Sequence, residues 1–428
     1  MEKLLESKSL KESMIVKTLP SGLKCYIIPK KGFSEKHAML CVDFGSTDLE
    51  FEIDGQKFIT PEGIAHFLEH KAFEDEKLDY FDEFTKLSGN VNAYTNFNST
   101  VYYFSAHENF KACLELLFDM VLDLYVTDET VEKEKGIIEQ EISMYDDDPS
   151  WRVYFNMLQT LYKKAPVRNE IAGSAQSIAQ IDVKLLRQCF ESFYTPANMA
   201  LVCAGDFDEE EIYSVADKKT GHLKSKNIIK IYPEEPLSDL DGMSSLFVAQ
   251  RMSVAKPLFC YGYKNIVKPD KLHDTVSTKI LLDIIAGGSS EVFNRLYRQG
   301  LLDSGFGMDY SNGSCYDITM FSGASKDVQR VCDEIKEVIE RIKAVGVEAE
   351  TFQRIRKKQL GRYLRSFNSV STIAGMQADF YLKGYSIFDI AEVMESIGID
   401  DINNRINECF SNNCGCLSVV DKFKQAGE

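Results

Sequence analysis

Residues 63–73 read GIAHFLEHKAF and set His66 and His70 four positions apart, with Glu69 between them. On a helix successive residues turn by about 100°, so these three polar side chains fall within one arc of roughly 100°. Ile64, Ala65, Phe67, Leu68 and Ala72 fill the rest of the circumference, the pattern of a deeply buried helix. An ionised glutamate buried between two imidazoles with no partner is strongly unfavourable. A divalent cation removes that penalty, because it binds neutral imidazole nitrogens and attracts the carboxylate. The competing reading is a surface helix whose histidines hydrogen-bond locally. With only six histidines in 428 residues, the spacing is an uncommon coincidence.

Zinc sites that hydrolyse bonds keep three protein ligands and leave the fourth position to water, so a third ligand is needed. TDETVEKEKGIIEQEISMYDDD (127–148) reads as a helix rich in glutamates. Val131, Ile137, Ile138, Met144 and Tyr145 are expected along one apolar side. Glu134 and Glu141, seven apart and so about 20° from superposed, sit inside that stripe. Glu129, Glu132 and Glu139 point the other way, towards solvent. Two core-facing carboxylates need partners, either a metal with its histidines or a buried arginine or lysine.

The elements that must position these residues alternate between strand and helix. Segments 23–30, 37–46, two strands within 91–106, and 198–208 read as strands. Helices are expected from Pro61, over 78–87, 107–124, 128–145, 150–163 and 182–193. The second half repeats the plan loosely: strands at 256–265, 316–325 and 414–421, a helical stretch 272–298 broken at Gly287 and Gly288, and helices through much of 327–411. YPEEPLSDLDG marks a linker. The expected division is an N-terminal domain 1–217 with the metal site, a linker 218–244, and a related domain 245–428.

Composition narrows the function. Hydrophobic residues make up 44% of the chain, enough for packed cores, and the length suits two domains. A net charge of −17 argues against nucleic acid as a partner. No apolar run is long enough to span a membrane. Eleven scattered cysteines, with only Cys414 and Cys416 close together, read as reduced thiols of a cytoplasmic protein.

The order H-x-x-E-H, followed by EKGIIEQEI (134–142), resembles the inverted-motif zinc peptidases, the family of pitrilysin, insulin-degrading enzyme and the mitochondrial processing peptidase. GNVNAYT (89–95), Gly173 within EIAGSAQSI, and YTPANM (194–199) add to the match. The resemblance covers the N-terminal half closely and the rest in outline. VEKEKGII and SMYDDDP look most similar to bacterial short-chain members that work as paired subunits. The resemblance implies an α+β fold of two similar domains, each a mostly antiparallel mixed β-sheet flanked by helices, together half of a clamshell chamber. It implies Zn2+ held by His66, His70 and Glu141, with Glu134 orienting a histidine and Glu69 as general base. Asn92 and Ala93 would introduce an edge strand on which an extended peptide binds by strand addition.

One segment departs from the family. Where many members carry S-x-L-F-x-x-L-R followed by L-A-Y, this chain reads SEVFNRLYRQGLLDSGF (290–306). Tyr297 stands in the arginine position, and Asp303 or Ser304 in that of the tyrosine. Arg295 and Arg298 lie nearby but out of register. Losing the oxyanion contacts of that pair would slow catalysis by roughly a hundredfold or more. The expectation is therefore a zinc metalloendopeptidase acting on extended peptides, with a homologous partner subunit supplying the Arg/Tyr pair and Tyr297 and Arg298 as candidate substrate contacts. The alternatives are a self-sufficient homodimeric peptidase, a zinc-binding regulatory protein, and a non-catalytic peptide-binding or assembly subunit of the same fold.

Overall fold

The computed structural model describes residues 2–7, 10–234, 246–268, 272–410 and 415–423. The chain forms two compact units, each assembled from three segments. The first comprises Met1–Ile142, Glu170–Ile231 and Tyr363–Asp389; the second comprises Ser143–Asn169, Tyr232–Arg362 and Ile390–Glu428. The exchange at Ile231 falls inside the expected linker 218–244, although Ile228–Lys230 there is a strand of the first unit. Residues 235–245 of that linker lie outside the described residues, as does Cys414. The segments 143–169 and 363–389 interleave the two halves in a way a single cut does not describe. For 363–389 the cause is a helix, Val370–Tyr381, whose buried Val370, Ile373, Ala374, Ala378 and Tyr381 pack it on the sheet of the first unit.

Among the described residues, the first unit's strands are β1 (Glu2–Ser7), β2 (Glu12–Thr18), β3 (Lys24–Pro29), β4 (Lys36–Val42), β5 (Glu50–Ile53), β6 (Gln56–Ile59), β7 (Gly89–Thr95), β8 (Thr100–Ala106), β9 (Met199–Gly205) and β10 (Ile228–Lys230). Seven of them form one sheet in the order β1-β2-β3-β9-β4-β8-β7, and β10-β5-β6 form a small second one. Only β3 and β9 run parallel in the large sheet. Its central strands β4 and β9 are buried on nearly every residue, which their runs of Ala, Met, Leu, Cys and Val require. β7 is an edge strand with alternate residues exposed.

The second unit holds β11 (Leu246–Met252), β12 (Leu258–Lys264), β13 (Gly307–Asn312), β14 (Asp317–Ala324) and β15 (Gly415–Lys422), in the order β11-β15-β12-β14-β13. Its one parallel pair is β11 with β15, at the end of the sheet. That is the arrangement of β3-β9-β4-β8-β7 repeated strand for strand, so the two units share an α+β plan of a mostly antiparallel sheet flanked by helices. The expected break at Gly287 and Gly288 separates helices Leu272–Ala286 and Glu291–Arg298, the latter capped by Ser290. The hairpin β1-β2, the strands β5, β6, β10, β11 and β13, and the helix Glu209–Thr220 have no counterpart in the sequence reading. Most are short or half-exposed and lack a sustained apolar run.

Candidate metal centre

The motif helix is Ile64–Lys71. It starts three residues after Pro61 because Gly63 precedes it with φ of 86°, a left-handed backbone that ends the preceding turn. A Cβ on Gly63 would lie 2.4 Å from the Ala172 carbonyl oxygen, and one on Gly173 would lie 2.6 Å from the Glu62 carbonyl oxygen. Two glycines thus let the 170–173 loop brace the entry to the helix. Ile64, Ala65, Phe67 and Leu68 are buried in the core of the unit, which turns His66, Glu69 and His70 together to one side.

The second helix is Asp128–Asp147. Its buried stripe is Val131, Glu134 and Ile138, continued by the half-buried Glu141 and Ile142. Ile137 and Met144, expected in that stripe, are 43% and 71% exposed. Neighbours on a helix diverge by about 100°, so Ile137 and Ile138 cannot share the centre of one face. Both candidate carboxylates nonetheless face the histidines.

His66 Nε2 lies 3.7 Å and His70 Nε2 3.3 Å from the same Glu141 oxygen, Oε2. One ligand atom from each of the three residues can be chosen so that all lie within 4.8 Å of one another. Bonds of about 2.1 Å arranged tetrahedrally give ligand–ligand edges of about 3.4 Å, so the donor set fits zinc. The ring of His66 is held from one side only. Its Nδ1 is buried with no hydrogen-bond partner among the described residues, so its seating depends on what Nε2 binds. His70 is held on both sides, with Nδ1 2.9 Å from Glu134 Oε1.

The electrostatics of the two rings diverge. Burial pushes His66 down to about 4, helped by the neighbouring His70, so that it stays neutral and able to donate its lone pair. Burial also acts to lower His70, but the hydrogen bonds and charges of Glu134 and Glu141 outweigh it and lift the imidazole to about 9. Without a metal, then, a proton on His70 supplies the positive charge the two carboxylates require. A divalent ion would take over that role.

Glu69 stands beside this cluster. Burial raises its pKa, against the Thr95 hydroxyl and the His70 charge, which lower it. Thr95 Oγ1 donates to Glu69 Oε2 at 2.5 Å. Beneath the helix the buried hydroxyls of Tyr102 and Tyr194 bond each other at 2.8 Å. Thr95 and this tyrosine pair were not singled out from sequence. The signal available was weak: Thr95 shares a strand face with Val91 and Ala93, and Tyr194 opens YTPANM.

Asn92 and Ala93 lie on β7, and the Ala93 amide donates to Asn92 Oδ1 at 2.8 Å. Tyr297 and Arg298 belong to the second unit, both exposed on the helix Glu291–Arg298, with Tyr297 stacked on Phe293. Among the described residues no helix is long and apolar enough to cross a membrane. The ten described cysteines are buried.

The profile of the insulinase family (peptidase family M16) matches residues 39–175, and that of the peptidase M16 inactive domain matches 180–359. A Bacillus subtilis protein named uncharacterized zinc protease YmfH is 36% identical over 417 residues, which are 95% of this chain and 96% of the relative. The chain belongs to the M16 peptidase family. A second B. subtilis relative, the zinc protease YmxG, is 24% identical over 83% of this chain and 88% of its own. Among solved structures, an M16-like peptidase from Alicyclobacillus acidocaldarius superposes with a TM-score of 0.92 at 32% identity, over 98% of this chain and 100% of that one. The periplasmic protease PqqL of Escherichia coli shares the fold, with a TM-score of 0.75 at 17% identity over 98% of this chain but only 48% of its own. The M16 profile spans the motif helix and the whole helix carrying Glu134 and Glu141, and the inactive-domain profile spans Tyr297 and Arg298.

Proposed function

We propose that this chain is the zinc-bearing subunit of a two-chain metalloendopeptidase that cleaves extended peptides. The observation that carries the reading is the convergence of His66 and His70 on one oxygen of Glu141, with the half-buried carboxylate of Glu69 alongside. Zinc held by His66, His70 and Glu141 would supply Lewis acidity and acidify water at the site. Glu134 fixes the His70 ring through Nδ1. Glu69, whose burial favours taking up a proton, accepts one from the attacking water and returns it to the leaving amine. Asn92 and Ala93, on the edge strand, seat the peptide backbone, and Tyr297 and Arg298 are proposed as further substrate contacts.

The two-chain assignment rests on the segment 290–306, which lacks the arginine and tyrosine in register. The match to half the length of PqqL supports it, because one chain of that protease spans about twice this fold. A homologous partner subunit would bring the Arg/Tyr pair. Scattered, buried cysteines suit a cytoplasmic setting.

The test is hydrolysis of fluorogenic peptides by the purified chain, alone and mixed with a homologous chain that carries the pair. Cleavage should be abolished by a chelator, restored by zinc, and reduced by about a hundredfold or more in Glu69→Gln. If neither sample shows chelator-sensitive cleavage, the peptidase reading falls and a peptide-binding or assembly role takes its place.

A further inference from the structure

The β7-β8 hairpin fixes which backbone groups face the free edge of the sheet. Asn96 N–H donates to the Ser99 carbonyl at 2.9 Å, so that pair is hydrogen-bonded, and by alternation so are 94 with 101 and 92 with 103. The backbone groups of Val91, Ala93 and Thr95 therefore point away from β8, along the open edge. The side chains of the same three residues share one face of the strand. On that face Thr95 Oγ1 gives its only proton to Glu69 Oε2 at 2.5 Å. Thr100 gives its own to the Phe44 carbonyl at 2.9 Å, so its 3.3 Å contact with Thr95 does not compete.

A carboxylate held at Oε2 by the Thr95 hydroxyl, and bonded also by the Thr95 backbone, cannot rotate freely. We infer that Thr95 is a positioning residue that locks the orientation of Glu69. It does so from the same strand whose Val91 edge groups and Ala93 carbonyl would receive the peptide, so a single seven-residue strand sets both the peptide register and the direction of the base. The inference rests on the peptidase reading above for its catalytic consequence. Its structural content, a carboxylate oriented by Thr95 with the hydroxyl bond at 2.5 Å, stands apart from that reading.

The experiment compares Thr95→Val, which keeps the branched shape and removes the hydroxyl, with Thr95→Ser, which keeps the hydroxyl. In the zinc-loaded enzyme with its partner, T95V should lower kcat by about ten- to a hundredfold, with KM and zinc content within about twofold of wild type. T95S should recover kcat to within about threefold. A T95V enzyme with unchanged kcat, or a T95S enzyme as impaired as T95V, overturns the inference. Crystal structures of both variants provide a readout independent of turnover. The Glu69 carboxylate should adopt the wild-type orientation in T95S and a different or split one in T95V. An identical, fully ordered carboxylate in T95V overturns the inference even if the wild-type chain cleaves nothing, a result that would separately refute the peptidase reading.

Discussion

Glu134 Oε1 lies 2.9 Å from His70 Nδ1, while Nε2 of the same ring faces Glu141 Oε2 at 3.3 Å. An imidazole pinned in this way keeps its Nδ1 proton directed at Glu134, so that when a metal displaces the second proton the Nε2 lone pair points into the cluster, the tautomer a metal needs. Glu134→Gln should therefore weaken zinc binding by about ten- to a hundredfold without abolishing it, since all three ligands remain. Competition with a chromogenic chelator measures this. Unchanged affinity would mean that the ring is oriented by packing alone.

This pair also shows what was legible in the amino-acid chain and what was not. His66, Glu69, His70, Glu134 and Glu141 could be grouped beforehand because each set lies on one helix, where spacing converts directly into angle. Thr95 could not, because its partner Glu69 sits on another element and a threonine closing NVNAYT carries no periodic signal. Along the 128–147 helix Ile137 and Met144 fall outside the buried stripe, since composition does not say which of two adjacent apolar residues takes the buried position. The α+β plan and the repeated unit were readable from alternating strand and helix patterns. The interleaving of 143–169 and 363–389 was not, because it depends on where the apolar face of Val370–Tyr381 lands.

The bracing of the motif helix by glycine gives a second prediction. Gly173 has φ of 77°, and any Cβ there would meet the Glu62 carbonyl oxygen at 2.6 Å and Ser177 Oγ at 2.7 Å. Backbone cannot move aside as a flexible side chain can, so Gly173→Ala should destabilise the protein by about 2–4 kcal/mol. Zinc content should fall as the entry to the helix shifts. Urea unfolding together with metal analysis tests this, and a change below about 0.5 kcal/mol would show that the contact yields easily.

His37 gives a prediction in pH. It is buried on β4, with Nδ1 2.8 Å from Ser105 Oγ, and burial pushes its pKa from 6.5 to about 4. Above pH 6.5 the ring is neutral in both folded and unfolded chains and costs nothing. Between 6.5 and 4 the unfolded chain takes a proton that the folded one refuses, so stability is lost as pH falls through that window, by up to about 3 kcal/mol. Removing the group in His37→Gln should abolish this part of the slope. The stability difference between wild type and variant, taken from urea midpoints at pH 7.5 and 4.5, should then shift by about 2–3 kcal/mol in favour of the variant at the lower pH. A difference that does not change with pH would mean that His37 gains a proton in the folded protein as readily as in the unfolded one. Taking differences removes the contributions of His66 and His70, which are common to both proteins.

The repeated plan places a different device where the second unit has the corresponding helices. By chain order, Leu272–Ala286 and Ala349–Ser366 occupy the places of Ile64–Lys71 and Asp128–Asp147. Between them, among the described residues, lies in place of a histidine cluster the buried carboxylate of Asp283, which accepts from Lys358 Nζ at 2.7 Å and from Gln359 Nε2 at 2.9 Å, with Arg362 at 3.6 Å. In the first unit the helices bring two histidines to a pair of glutamates that need a cation; in the second a lysine provides the positive charge covalently. Lys358→Met should consequently cost about 2–3 kcal/mol by leaving Asp283 buried beside weaker partners. That cost should be the same with or without a chelator, whereas the stability that zinc confers through His66, His70 and Glu141 should disappear when the metal is removed. Unfolding curves for wild type and K358M, each with and without chelator, separate the two contributions. If the chelator changes the effect of K358M, the two pins are energetically coupled and the units do not hold their helices independently.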